Sequence, residues 1–164
     1  MTEASEHRYL IALGSNRRLP AIGGPRAVLD AAMGALANEG WRIEAVSRWI
    51  DSAPLGPSQR LYANGAALIA GDLDPVEALE SLQDIEAAFG RERRGQRWRS
   101  RTLDLDIVLW SGGAWHSPGL TIPHPAFRER AFVFAPAARI APHWRDPVSG
   151  RTLRQLARRA SQGA

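Results

Sequence analysis

Residues 101–110 read RTLDLDIVLW. Leu103, Leu105, Ile107 and Leu109 alternate with Thr102, Asp104, Asp106 and Val108, the period of two that marks a strand with one packed face. Asp104 and Asp106 therefore share the other face, with Cα atoms about 7 Å apart. Carboxylates that close repel each other unless a cation or hydrogen-bond donors arrive. The stretch raises two questions together: which sheet it completes, and what the acids hold.

Upstream, Asp74-Pro75-Val76-Glu77 opens a helix with Asp as N-cap, Pro in the first position and Glu near the capping-box site, predicting a helix over 74–89. YANGAALIAG (62–71) is a strand candidate, and WRIEAVSRWI (41–50) alternates as another. DSAPLGPSQR (51–60) is a structured loop by its prolines and glycine. Pro25 suits a helix first turn, the run to about Asn38 has helical apolar spacing, and Gly40 is a stop. RYLIAL (8–13) reads as a short buried strand ended by Gly14, Ser15 and Asn16. The order is β-α-β-β-α-β. It predicts an α+β fold of the ferredoxin-like type, an antiparallel sheet with two helices on one face. Beyond Trp110, SGGAWHSPGLTIPHP reads as a turn-rich loop and FRERAFVFAPAARIA as a helix. WRDPVSGRT reads as a hairpin leading into a short basic helix that ends near Ala160.

With 164 residues, 45% of them apolar, residues 1–164 are expected to form one domain with a real core. The 21 basic residues exceed the 17 acidic ones, a modest excess that suits an anionic partner such as a nucleotide or nucleic acid and that a soluble surface alone would also explain. Every basic residue is arginine. Without lysine, a phosphate loop ending in GK[ST], a kinase-type strand lysine and a Schiff base are all excluded. Without cysteine, so are thiol nucleophiles, thiolate metal sites and disulfides. The start MTEASEHRYLIALGSN has no signal-peptide pattern, and no apolar run approaches the ~20 residues that span a bilayer. A cytoplasmic location is expected.

Between Arg91 and Arg101 the chain is RERRGQRWRSR, arginines leading straight into the aspartate strand. Arginines ahead of a carboxylate pair suit transfer of a phosphate-type group: guanidinium forks for its oxygens, carboxylates for a bridging magnesium. The bland alternatives are a solvated basic loop and an exposed sheet face balanced by arginines. Gln83 and Glu86 lie three apart on one helix face, leaving Leu79, Leu82, Ile85 and Phe89 to pack. His124, held between prolines with Arg128 and Arg130 beyond, could bind a phosphate. No second histidine stands at zinc-ligand spacing.

ALGSN, SAPLGP, YANGA, the helix with Gln83 and Glu86, GRERRGQRW, RTLDLDIVLW and TIPHPAFRERAF together resemble the 6-hydroxymethyl-7,8-dihydropterin pyrophosphokinase family of folate biosynthesis. The match runs in unbroken order to about residue 150. The resemblance implies magnesium-dependent transfer of the pyrophosphoryl group of ATP to the pterin hydroxymethyl oxygen, releasing AMP, on a ferredoxin-like fold with two Mg2+ ions. It implies Asp104 and Asp106 as metal ligands, and Arg91 and Arg101 as the arginines bracing the transferring group. It implies ATP contacts from Gln83, Glu86, Arg93, Arg94, Arg97, Trp98, Ile107, Thr121, His124 and Arg130. It implies a pterin stacked between Tyr62 and Phe132, its edge read by Asn64 and by Ser52, Ala53, Pro54 and Leu55. The loops around 51–60 and 91–101 would close over bound ATP. A monomer that binds neither nucleic acid nor membrane is expected.

The chain departs from the family pattern in places. Pro125 follows the histidine where several members carry tyrosine, Gly119 stands where some have arginine, Arg94 replaces a frequent lysine, and Ser52 a frequent threonine. The segment RRLPAIGGP is longer than the expected loop. An RNA-recognition module shares the element order but needs several exposed aromatics on central strands, and YANGAALIAG offers Tyr62 alone. A non-catalytic relative would lack Asp104, Asp106, Arg91 or Arg101. A two-carboxylate glycosidase needs its acids on opposite sides of a sugar bond, which neighbours on one strand do not provide.

Overall fold

A computed structural model of the chain describes residues 6–52, 62–90 and 102–162. Its elements are β1 (His7–Ser15), α1 (Pro25–Asn38), β2 (Arg42–Val46), β3 (Ile50–Ser52), β4 (Tyr62–Gly71), α2 (Pro75–Gly90), β5 (Asp104–Trp110), β6 (Trp115–Ser117), β7 (Leu120–Ile122), a 3-10 turn Phe127–Glu129, α3 (Ala131–Ile140) and α4 (Leu153–Gln162). The main sheet runs β2-β4-β1-β5, with β3 also on β4, and every pairing is antiparallel. This is the ferredoxin-like order, with the two strands that begin each half side by side in the centre.

Each face of the sheet carries its own core. Tyr9, Ile11, Leu13, Ala67, Ile69, Leu103, Leu105 and Ile107 pack against Val28, Leu29, Ala32 and Leu36 of α1 and Ala78, Leu82 and Ile85 of α2. Leu10, Ala66, Val108 and Leu109 pack instead against Phe127, Val133, Phe134, Ala137 and Leu153. Two helices cover one face as expected, and α3 with α4 covers part of the other. Among the described residues, no helix is long and apolar enough to cross a membrane.

The N-terminal caps follow the sequence closely. Asp74 Oδ1 accepts from the Glu77 N–H at 2.9 Å while Glu77 Oε1 accepts from the Asp74 N–H at 3.1 Å, a reciprocal capping box. The Tyr9 hydroxyl donates to the Leu73 carbonyl at 2.7 Å and Trp41 Nε1 to Ser81 Oγ at 3.0 Å, so the start of α2 is tied to the sheet.

Three local readings are corrected. Residues 41–50 do not form one strand. Ser47 Oγ takes the Ala66 N–H at 2.9 Å, Ser47 lies opposite Ala66, and Ile50 pairs with Asn64, so Arg48 and Trp49 together face Gly65. The extra residue is a bulge, and the Trp49 ring occupies the space over Gly65, where a Cβ would come within 2.4 Å of it. A second bulge breaks the alternation in β5. Ile11 pairs with Ile107 but Leu10 with Leu109, which moves Leu109 to the opposite face from Leu103, Leu105 and Ile107. The segment read as a turn-rich loop contains the β6–β7 hairpin, closed at Pro118-Gly119. The WRDPVSGRT hairpin is real but minimal, a single bridge between Arg145 and Thr152.

Candidate active site

Cross-strand partners in an antiparallel sheet point to the same face, so the register maps the site. One row across the sheet is Ile50–Asn64–Gly14–Asp104, and the next is Ala66–Ala12–Asp106. The backbone of Ser52 pairs with Tyr62 two residues further along the two strands. Asn64 and Tyr62, expected to contact a pterin, and Asp104 and Asp106, expected to hold metal, thus lie on one surface. With strands about 4.8 Å apart, the Asn64 and Asp104 backbones stand about 10 Å from each other. Between them is Gly14, where a Cβ would meet Asn64 Oδ1 at 3.2 Å. The floor is therefore bare backbone, flanked by an amide and a carboxylate.

Asp104 and Asp106 are half-buried, Asn64 is buried and Tyr62 half-buried. Beside Asp106 a cavity of about 470 Å³ opens, walled by Leu105, Asp106 and Ile107 of β5, Leu79 of α2, residues 116–121 of the β6–β7 hairpin, and His124 and Pro125. Four expected residues, Asp106, Ile107, Thr121 and His124, meet there. His124 is fixed at both ends: its N–H donates to the Val108 carbonyl at 3.1 Å, and its Nδ1 accepts from the Ala126 N–H at 3.2 Å. A neutral ring held this way carries its proton on Nε2 and presents a donor.

Other expected residues stand elsewhere. Glu86 Oε2 accepts from the Leu105 N–H at 2.9 Å, fastening α2 to the strand between the two aspartates. Gln83 is exposed one turn along α2 from Leu79. Arg130 is exposed at the N-cap of α3, and Phe132 lies in the first turn of that helix. Neither Gln83 nor Arg130 lines the cavity. Arg91, Arg93, Arg94, Arg97, Trp98 and Arg101, and Ala53, Pro54 and Leu55, lie outside the described residues.

Arg128, read from sequence as a phosphate partner beside His124, has a different role. Its Nε and Nη2 both donate to Asp146 at 2.6 Å. Asp146 is fully buried and also accepts from the Val148 N–H and Ser149 Oγ. Burial would raise the Asp146 carboxyl, but the hydrogen bonds from Arg128, Ser149 and Val148 outweigh it and hold the group down at about 2. The C-terminal turn is thereby bolted to the segment that carries His124.

His116, Ser117, Pro118 and Leu120 also line the cavity and were not foreseen. The signal was present: Pro-Gly between His-Ser and Leu-Thr-Ile is a turn dipeptide flanked by strand formers, but three-residue strands give too little alternation to register.

The ferredoxin-like fold carries two acids on the sheet face where an RNA-binding sheet would present aromatics, and one of them, Asp106, lines the cleft. The chain matches the family described as 7,8-dihydro-6-hydroxymethylpterin-pyrophosphokinase (HPPK) over residues 10–142. It is 41% identical over 154 residues to the 2-amino-4-hydroxy-6-hydroxymethyldihydropteridine pyrophosphokinase of Synechocystis sp., covering 92% of this chain and 74% of that one. It is likewise 41% identical over 151 residues to the protein of that name from Pseudomonas aeruginosa, covering 91% and 89%. Among solved structures, Plasmodium falciparum HPPK-DHPS with pteroate superposes with a TM-score of 0.70 at 12% identity. The chain spans only 42% of that protein's length, and the likeness speaks for the fold. This chain belongs to the 7,8-dihydro-6-hydroxymethylpterin-pyrophosphokinase family.

Proposed function

We propose that this chain, acting as one domain, transfers the pyrophosphoryl group of ATP to the hydroxymethyl oxygen of 6-hydroxymethyl-7,8-dihydropterin, giving AMP and the pterin diphosphate. One observation carries the reading: Asp106, Ile107, Thr121 and His124 line a single cavity, next to a sheet face on which Asp104, Gly14, Asn64 and Tyr62 follow in register. A nucleotide in the cavity and a pterin over Asn64 would bring the two substrates together at the carboxylate pair.

The donor set fits magnesium. Two carboxylates on one strand face offer hard oxygen ligands, and among the described residues no cluster of three or more His, Asp or Glu competes for the role. When bound, Mg2+ would neutralise triphosphate charge and align its oxygens. The rest falls to the chain. Ile107 and Leu79 give the cavity apolar walls for the base, and His124 offers its Nε2 proton to an acceptor on the nucleotide. Tyr62 and Phe132 would stack the pterin, with Asn64 and the 52–55 loop reading its edge. Gly14 leaves room for the hydroxymethyl arm. Arg91 and Arg101 would brace the phosphoryl oxygens, with Arg93, Arg94, Arg97 and Trp98 over the nucleotide. Attack falls on the β-phosphorus because the hydroxyl is held in line with it, and held geometry is worth several kcal/mol of barrier, up to roughly 7–11.

The reading is tested by incubating purified protein with magnesium and ATP, with and without the pterin, and separating AMP from ADP. AMP formed one-for-one with pterin diphosphate, and only with pterin present, supports it. ADP refutes pyrophosphoryl transfer.

A further inference from the structure

The cavity beside Asp106 contains a histidine that none of the motifs assigned. His116 stands opposite Thr121 across the β6–β7 hairpin, and its Nδ1 lies 3.1 Å from Thr121 Oγ1. Ser117 Oγ, next along the wall, already accepts from Trp115 Nε1 at 2.9 Å. The turn beyond is Pro118-Gly119, which has no polar side chain. Of the hairpin's polar side chains on this wall, two hydroxyls are engaged and one ring nitrogen, His116 Nε2, has no hydrogen bond among the described residues. The ring is exposed yet oriented by its tether to Thr121. A hydrogen-bonding group oriented in advance loses little freedom when a ligand arrives.

We propose that His116 is a nucleotide-binding residue: steered by Thr121, it hydrogen-bonds through Nε2 to the nucleoside part of ATP along the hairpin wall. The proposal rests on the reading above that ATP occupies this cavity. It assigns the ring to binding and not to chemistry, so its loss weakens ATP affinity and leaves the transfer step intact.

The experiment titrates α,β-methylene-ATP with magnesium into wild type, His116→Ala, His116→Gln and His116→Asn by calorimetry, with steady-state kinetics alongside. His116→Ala is expected to weaken binding about three- to tenfold, the worth of one hydrogen bond, and to raise KM for ATP at unchanged kcat. A glutamine amide nitrogen reaches the place of Nε2, so His116→Gln should recover most of the affinity. An asparagine amide reaches only the place of Nδ1, keeping the Thr121 contact, so His116→Asn should not. Recovery by Asn and not by Gln would overturn the proposal in favour of bracing the hairpin. Unchanged affinity in His116→Ala, with wild type binding normally, would overturn it alone. Failure of wild type to bind the analogue would overturn it together with the proposed function.

Discussion

The two faces of this sheet are made by the same strands and differ in how far their packing extends. On the α1–α2 face the core reaches to Leu13 and Leu103. On the α3–α4 face it reaches Ala66 and Ala12, in the row whose third member is Asp106, and the next row holds Asn64, Gly14 and Asp104 instead. One face stores stability along its whole length. The other gives up part of its burial to leave a floor with small and polar residues. Alternation on the strands keeps the two roles apart, because each residue can serve only one face.

The sharpest way to break this division is to remove a carboxylate. Asp106→Ala should cut turnover by about 10³-fold or more, about 4 kcal/mol of transition-state stabilisation, while thermal melting stays near that of wild type. A matching fall in melting temperature would move Asp106 to the structural side of the ledger. The converse change lies in the first core. Leu36→Ala, at a fully buried position, should cost about 2–5 kcal/mol of stability, read by urea titration, with kcat per folded molecule unchanged.

A smaller effect comes from the Arg128–Asp146 pair. Its carboxyl is depressed from 3.8 to about 2. A group lowered on folding stabilises above its unfolded pKa, and that contribution fades as pH falls through the folded one. Wild type should therefore lose about 2 kcal/mol between roughly pH 4 and pH 2. Asp146→Asn should be less stable at neutral pH but flatter across that window, as circular dichroism at each pH would record. Parallel curves would show that Asp146 does not carry the acid transition. The smallest expected change is at the floor. Gly14→Ala places a methyl 3.2 Å from Asn64 Oδ1 and should raise KM for the pterin about threefold or more while sparing ATP affinity. An equal effect on both substrates would mean the two subsites are not separated along the row.

Much of this was legible because the signals were local. The capping box at Asp74 and Glu77, Pro25 at a helix start, and the alternation from Leu103 to Ile107 each act within a few residues, and each took the form read from it. The aspartate pair was equally plain, since a period of two fixes which side chains share a face. What escaped depends on partners far along the chain. Ser47 breaks a strand because of Ala66, the Val108 bulge depends on the register of Leu10 and Ile11, and Arg128 is taken by Asp146. None of these pairings leaves a mark in its own neighbourhood. The β6–β7 hairpin, which walls the cavity and brings His116 into it, was missed because its strands are only three residues long.

The most direct test of the account follows the β-phosphorus. With ATP labelled at that position, magnesium and the reduced pterin, all transferred label should appear in the pterin diphosphate and none in the AMP released. Label retained in ADP, or freed as inorganic pyrophosphate with the pterin unmodified, would contradict transfer across this face of the sheet.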